Sequence, residues 1–239
     1  MKRITFIFLV ILYLTSCQES PLENSLSEVT MESESNYLVP PHIKYETLFA
    51  VSSTLTPEEK QRLFECLYSL GEKYPELDEV ILYIMRNRGP LTFKINPKLE
   101  GYAAYDFFTI EFKGETYIND ETVLEEILHV AQGIDYGYEL MNECAKNVEF
   151  EVRVLRDIWE YRRVQREGLS IYGVRGDRSN SYRGWVISLT YLNLHILGVP
   201  QFNEFAQNWE DPFYIGYNLP FCPDFVPGFL VSFRGDYSL

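Results

Sequence analysis

Basic residues are scarce. The chain has 239 residues, with 21 Lys and Arg against 35 Asp and Glu, a formal net charge of -14. Phosphate binding needs clustered Lys and Arg, so this balance argues against a nucleic-acid partner. After the first residues no apolar run is long enough to span a bilayer. Three common chemical signatures are missing: GxSxG, a P-loop and CxxC. No Ser/His/Asp set, phosphate cradle or redox pair can therefore be assembled from motif alone. No internal repeat is visible. Cysteine is sparse, with Cys17, Cys66, Cys144 and Cys222 widely spaced and unlike a zinc knuckle.

What is present suits a globular domain. Hydrophobic residues make up 46% and charged residues 23%, which excludes wholesale disorder. Aromatics reach 15%, with 18 Tyr and 16 Phe. The length suits one domain.

The N-terminal residues read as an export signal rather than as part of the fold. Lys2 and Arg3 precede an apolar run from Ile4 to Leu14, followed by Leu14-Thr15-Ser16-Cys17. This ending resembles a bacterial lipobox, in which the Cys is lipidated and becomes the mature N-terminus. The resemblance implies a signal peptide over residues 1–16, lipidation at Cys17, a membrane contact through that lipid and a place in the cell envelope. An ordinary cleaved signal or an uncleaved anchor is the competing reading. Residues 17–38 are acidic, Ser-rich and poor in apolar side chains, as expected of a flexible acidic tether. The globular domain is expected over 39–239. An exported chain can form one disulfide among Cys66, Cys144 and Cys222, leaving one thiol over, and the spacing does not choose the pair.

Within the domain, Thr56-Pro57-Glu58-Glu59 is a helix start, with Leu63, Cys66, Leu67 and Leu70 on one face. Leu77, Val80, Ile81, Ile84 and Met85 suggest a second helix, broken by Asn87-Arg88-Gly89-Pro90. The period then changes. Leu91, Phe93 and Ile95 alternate, as do Phe108, Ile110 and Phe112, and both runs read as strands ahead of a turn at Lys113-Gly114-Glu115. A long helical region follows from about Asp120 to Gly168, with breaks expected at Gly133 and Gly137, and residues 184–207 read as helical again. The order predicts an α+β domain, mostly helical, with a small sheet ahead of the long helix. The aromatic C-terminal stretch, with Trp209, Phe213, Tyr214, Tyr217 and Phe221, reads first as a cover for the core.

The stretch that carries chemistry is residues 121–136. At ~100° per residue, Val123, Leu124, Ile127, Leu128, Val130, Ala131 and Ile134 share one arc. Glu125, Glu126, His129, Gln132 and Tyr136 share the opposite one. Glu125 and His129, four apart, stack on one face with Glu126 beside them. Of the other histidines, His195 sits in an apolar helical run and reads as a packed residue, and His42 reads as solvated.

Glu125-Glu126-Ile127-Leu128-His129 resembles the active helix of zincin metallopeptidases, whose motif is HExxH. In that family the two His bind zinc from one face and the intervening Glu acts as base. The second His and the base Glu match at His129 and Glu126. The first His is replaced by Glu125. Val130-Ala131-Gln132 continues as zincins often do, and a strand at about 105–112 lies where they align a peptide. The Glu-liganded members carry a third ligand on a following helix, which by its place in an E-x-E segment is Glu149. The resemblance implies one divalent metal on Glu125, His129 and Glu149, zinc or, with two carboxylates, manganese or iron. The extra negative charge weakens the expected catalysis. Two departures hold other readings open: Arg153 stands where an acidic residue is usual, so Glu149 can pair with it, and the polar arc can be the solvated face of a surface helix with no metal.

Three functional expectations follow. The first is a lipid-anchored envelope protein with a divergent, impaired zincin-like domain that binds peptide or a protein partner. The second is an active metal-dependent peptidase with Glu126 as general base. The third is a non-enzymatic lipoprotein that binds glycan or peptide through its C-terminal aromatics.

Overall fold

A computed structural model describes residues 45–106, 108–166, 180–191, 198–210 and 218–233. The expected signal and tether, with Cys17, lie outside them, as do His42, His195, Phe213, Tyr214 and Tyr217. Helix α1, Pro57–Lys73, begins as expected: the Thr56 hydroxyl accepts from the Glu59 amide and the Glu59 carboxylate accepts from the Thr56 amide. It buries Leu63, Cys66, Leu67 and Leu70. Helix α2, Leu77–Asn87, buries Leu77, Val80, Ile81 and Ile84 and ends before Gly89, whose φ of 80° suits a glycine.

The sheet has three short strands, β1 (Thr92–Ile95), β2 (Ala103–Asp106) and β3 (Thr109–Phe112), in the order β1-β3-β2. β1 runs parallel to β3 with Phe93 opposite Ile110, and β2 runs antiparallel to β3 with Tyr105 opposite Ile110. The span expected as one strand near 105–112 is thus a hairpin. With Asp106 opposite Thr109, Phe108 falls in the connection; it is exposed, with the Arg88 guanidinium 5.2 Å above its ring. Leu91 sits just ahead of β1 and pairs with Phe49.

Helix α3, Asp120–Glu143, starts on Asn119, whose side chain accepts from the Thr122 amide. Of the two breaks expected in it, only Gly137 is real, at φ 72° and ψ 161°. Gly133 stays helical, and its hydrogen makes room for Tyr105 of β2. Helix α4, Ala145–Arg166, is the central element. Val148, Phe150, Val152, Val154, Leu155, Ile158 and Trp159 are buried, and it packs against α3 and against the three later helices α5 (Asn180–Tyr191), α6 (Val199–Asn208) and α7 (Gly228–Phe233). Burial on several sides is why no clean stripe marks it. The result is an α+β domain, mostly helical, with seven helices and one small sheet among the described residues. None of these helices is long and apolar enough to cross a membrane.

The start of α4 is pinned from the far end of the chain. Cys144 is bonded to Cys222, and Cys66 stays a buried thiol. The Asn147 side chain accepts from the Cys222 amide and donates to the Cys222 carbonyl and to Asn203. Trp209 is buried against Phe150 with ring centroids 5.7 Å apart, and Phe221 is partly buried on the same core.

Candidate metal centre

Glu125, His129, Gln132 and Tyr136 of helix α3 meet partners on α4, with Glu125 and Glu126 half-buried. The solvated-face reading fails for the middle of this row, because His129 is 8% and Gln132 0% exposed. Amphipathicity marked two faces correctly, but α4 covers the second one with polar groups of its own.

Three expected ligands come together. One donor atom each from Glu125, His129 and Glu149 lies within 4.8 Å of the others. His129 Nε2 is 3.3 Å from Glu149 Oε2. Ligands about 2.0–2.1 Å from a tetrahedral ion sit roughly 3.3 Å apart, so small side-chain rotations close the set. These two carboxylates and one imidazole can hold a metal ion. Glu149 does not pair with Arg153, which instead meets Asp157 at 3.5 Å one turn along α4.

The tautomer of His129 follows from its neighbours. Gln132 Nε2 donates to the Val148 carbonyl at 3.0 Å and to Glu151 Oε2 at 2.8 Å. Its amide oxygen therefore faces His129, 2.9 Å from Nδ1, and Nδ1 must carry a proton. Nε2 is left to face Glu149. Glu151 is fully buried and accepts from Gln132, from the Tyr136 hydroxyl and from the Leu230 amide of α7. Tyr136 in turn accepts from the Phe229 amide at 2.8 Å.

Arg156 of α4 lies 3.5 Å from Glu125 Oε2 and 3.1 Å from Glu121 Oε1. It offsets part of the negative charge that Glu125 brings. Burial raises the Glu125 carboxyl above its ordinary range, while Arg156 and His129 pull it back. Burial also lifts Glu126 to about 7, against the opposing pull of His129. For His129 burial alone would lower the pKa, but Glu149, Glu126 and Glu125 together overcome it and lift the ring to about 10. With Nδ1 committed to Gln132, Nε2 is the ring atom left for a cation. Burial raises Glu151 to about 7 despite its three donors. Glu126 sits among these groups, its electrostatic surroundings being His129, Glu125 and Glu149.

Two features were not legible in the sequence. Glu151 is the other half of the E-x-E segment, but residues two apart on a helix point away from each other, so only one could meet His129. Arg156 carried no signal at all. The Tyr136 hydroxyl donates to Glu151, whereas Tyr138 is exposed. Compared with known proteins, the chain matches no family model, no curated protein and no solved structure.

Proposed function

We propose that this chain is a lipid-anchored protein of the bacterial cell envelope whose domain is a divergent zincin-like fold. It holds one divalent cation on Glu125, His129 and Glu149 and binds peptide or a protein partner, with hydrolysis weakened by the second carboxylate. The observation that carries the reading is the convergence of those three donors on one point. The small sheet ahead of α3 and the Nδ1 proton of His129 held by Gln132 support it. The Cys144–Cys222 bond supports an oxidising compartment. A set of two oxygens and one nitrogen suits zinc, manganese or iron. When bound, the cation would act as a Lewis acid toward a substrate oxygen. The test is elemental analysis of the full chain after exposure to zinc and manganese, beside His129→Ala. About one metal per chain, lost in the variant, is expected; equal content in both sinks the reading.

A second reading, an active peptidase with Glu126 as general base, is favoured by one observation. Glu126 stands beside the three ligands and its carboxyl is lifted to about 7, where a base works best at neutral pH. Hydrolysis of a peptide library by the metal-loaded chain, reduced about 100-fold or more in Glu126→Gln at unchanged metal content, would establish it. No turnover by the wild type leaves the binding reading.

A further inference from the structure

Behind the three ligands lies a row of buried polar groups, of which the metal reading draws only on the contact between Gln132 and His129. Gln132 and Glu151 are both 0% exposed, and polar groups survive such burial only when hydrogen-bonded. They are. Gln132 commits its amide protons to the Val148 carbonyl and Glu151, at 3.0 and 2.8 Å, and its oxygen to His129 Nδ1, at 2.9 Å. Glu151 is held in turn by the Tyr136 hydroxyl and the Leu230 amide, each at 2.8 Å. The amide of Gln132 therefore cannot flip without leaving two donors facing each other, and the imidazole cannot rotate without losing both its partners.

From this geometry we infer that Gln132, oriented by Glu151, is a positioning residue that fixes the ring and tautomer of His129 so that Nε2 faces Glu149, and that helix α7 completes the clamp through its Leu230 amide. The inference rests on the metal reading for its purpose. Its direct consequence, the state of His129, is independent of any metal. Of the three ligands, Gln132 hydrogen-bonds only His129, so its influence on a cation passes through that ring. Outer groups of this kind alter metal affinity by about 10- to 100-fold.

The experiment compares the full chain with Gln132→Met, which keeps the shape of the side chain and removes its acceptor and donors, and with the exchange Gln132→Glu with Glu151→Gln. The exchange keeps an acceptor for His129 and restores a donor and acceptor pair between the two positions. Far-ultraviolet circular dichroism and thermal melting report folding. Long-range proton–nitrogen correlation of the metal-free protein reports the His129 ring, and zinc titration against a chromophoric chelator reports affinity. The expected result is a slowly exchanging, hydrogen-bonded Nδ1 proton in wild type, whose slow-exchange signal is lost in Gln132→Met and recovered in the exchange, with zinc affinity falling about 10- to 100-fold and recovering in step. An Nδ1 signal and zinc affinity unchanged in folded Gln132→Met would overturn the inference while the metal reading stands. A signal lost in that variant, in a wild type that binds no zinc, would uphold the positioning role and remove the metal reading. If Gln132→Met does not fold, the exchange decides: a folded exchange protein without the Nδ1 signal overturns the inference.

Discussion

At the scale of single residues, identity matters most where α3 meets its neighbours. Gly133 is a helix-interior glycine, and alanine there would ordinarily stabilise by about 1 kcal/mol. Here a Cβ would overlap the Tyr105 hydroxyl and ring of strand β2, which are half-buried. Overpacking of this kind costs about 1–3 kcal/mol. Gly133→Ala should therefore lower stability in urea unfolding. The same change in a Tyr105→Ala background should raise it, because the obstacle is gone. A stabilising Gly133→Ala in the native background would show that β2 does not lie against α3 as described. Glu149 and Glu151 make the same point: two identical residues on one helix, two apart, are given different work by what each faces.

At the scale of elements, α4 organises the molecule. Near its end, Glu160 accepts from Arg163 at 2.6 Å and from the Tyr74 hydroxyl at the foot of α1 at 2.8 Å. The Arg163 hydrogen bonds hold Glu160 below the usual carboxylate range against the effect of burial, while burial and the Glu160 contact push the Tyr74 phenol up. A depressed carboxyl contributes stability above its unfolded pKa of about 4.3 and loses it as pH falls through the folded value. A raised phenol contributes below its unfolded value of about 10 and loses it as pH rises through the folded one. Glu160→Gln should thus flatten the acid limb of a stability–pH curve below about pH 4.3, and Tyr74→Phe the alkaline limb above about pH 10. Thermal melts across pH read both, and unchanged limbs would show that α1 and α4 are not joined by this contact. Element boundaries that rest on local signals, such as the Thr56 capping box and the Gly137 kink, were legible in the sequence because a few neighbouring atoms decide them. The parallel pairing of β1 with β3 was not, since pairing across intervening residues leaves no local mark.

At the scale of the whole molecule, the C-terminal stretch is fastened to the middle of the chain by the Cys144–Cys222 bond across 78 residues. Closing a loop of that length stabilises by about 4 kcal/mol in the chain-entropy account, so reduction should lower unfolding stability by roughly that amount. Cys66 should not take part. It is buried in the core, and burial pushes its thiol up to about 11. Iodoacetamide at pH 8 should label Cys66 only after denaturation, as peptide mass spectrometry would read. Labelling in the native chain would contradict its place on the buried face of α1.

Taken alone, the sequence determined the class of the fold, the starts of α1, α2 and α3, the position of the sheet and the face of α3 that carries Glu125, Glu126 and His129. These follow from periodicity and capping, which act over a few residues. Tertiary packing alone settled which cysteines pair, that Arg156 meets Glu125, and that Gln132, Glu151 and α7 stand behind the His129 ring. Those outcomes depend on residues distant in the chain being pressed together, and burial, not residue type, is what turns their ordinary polar groups into a site.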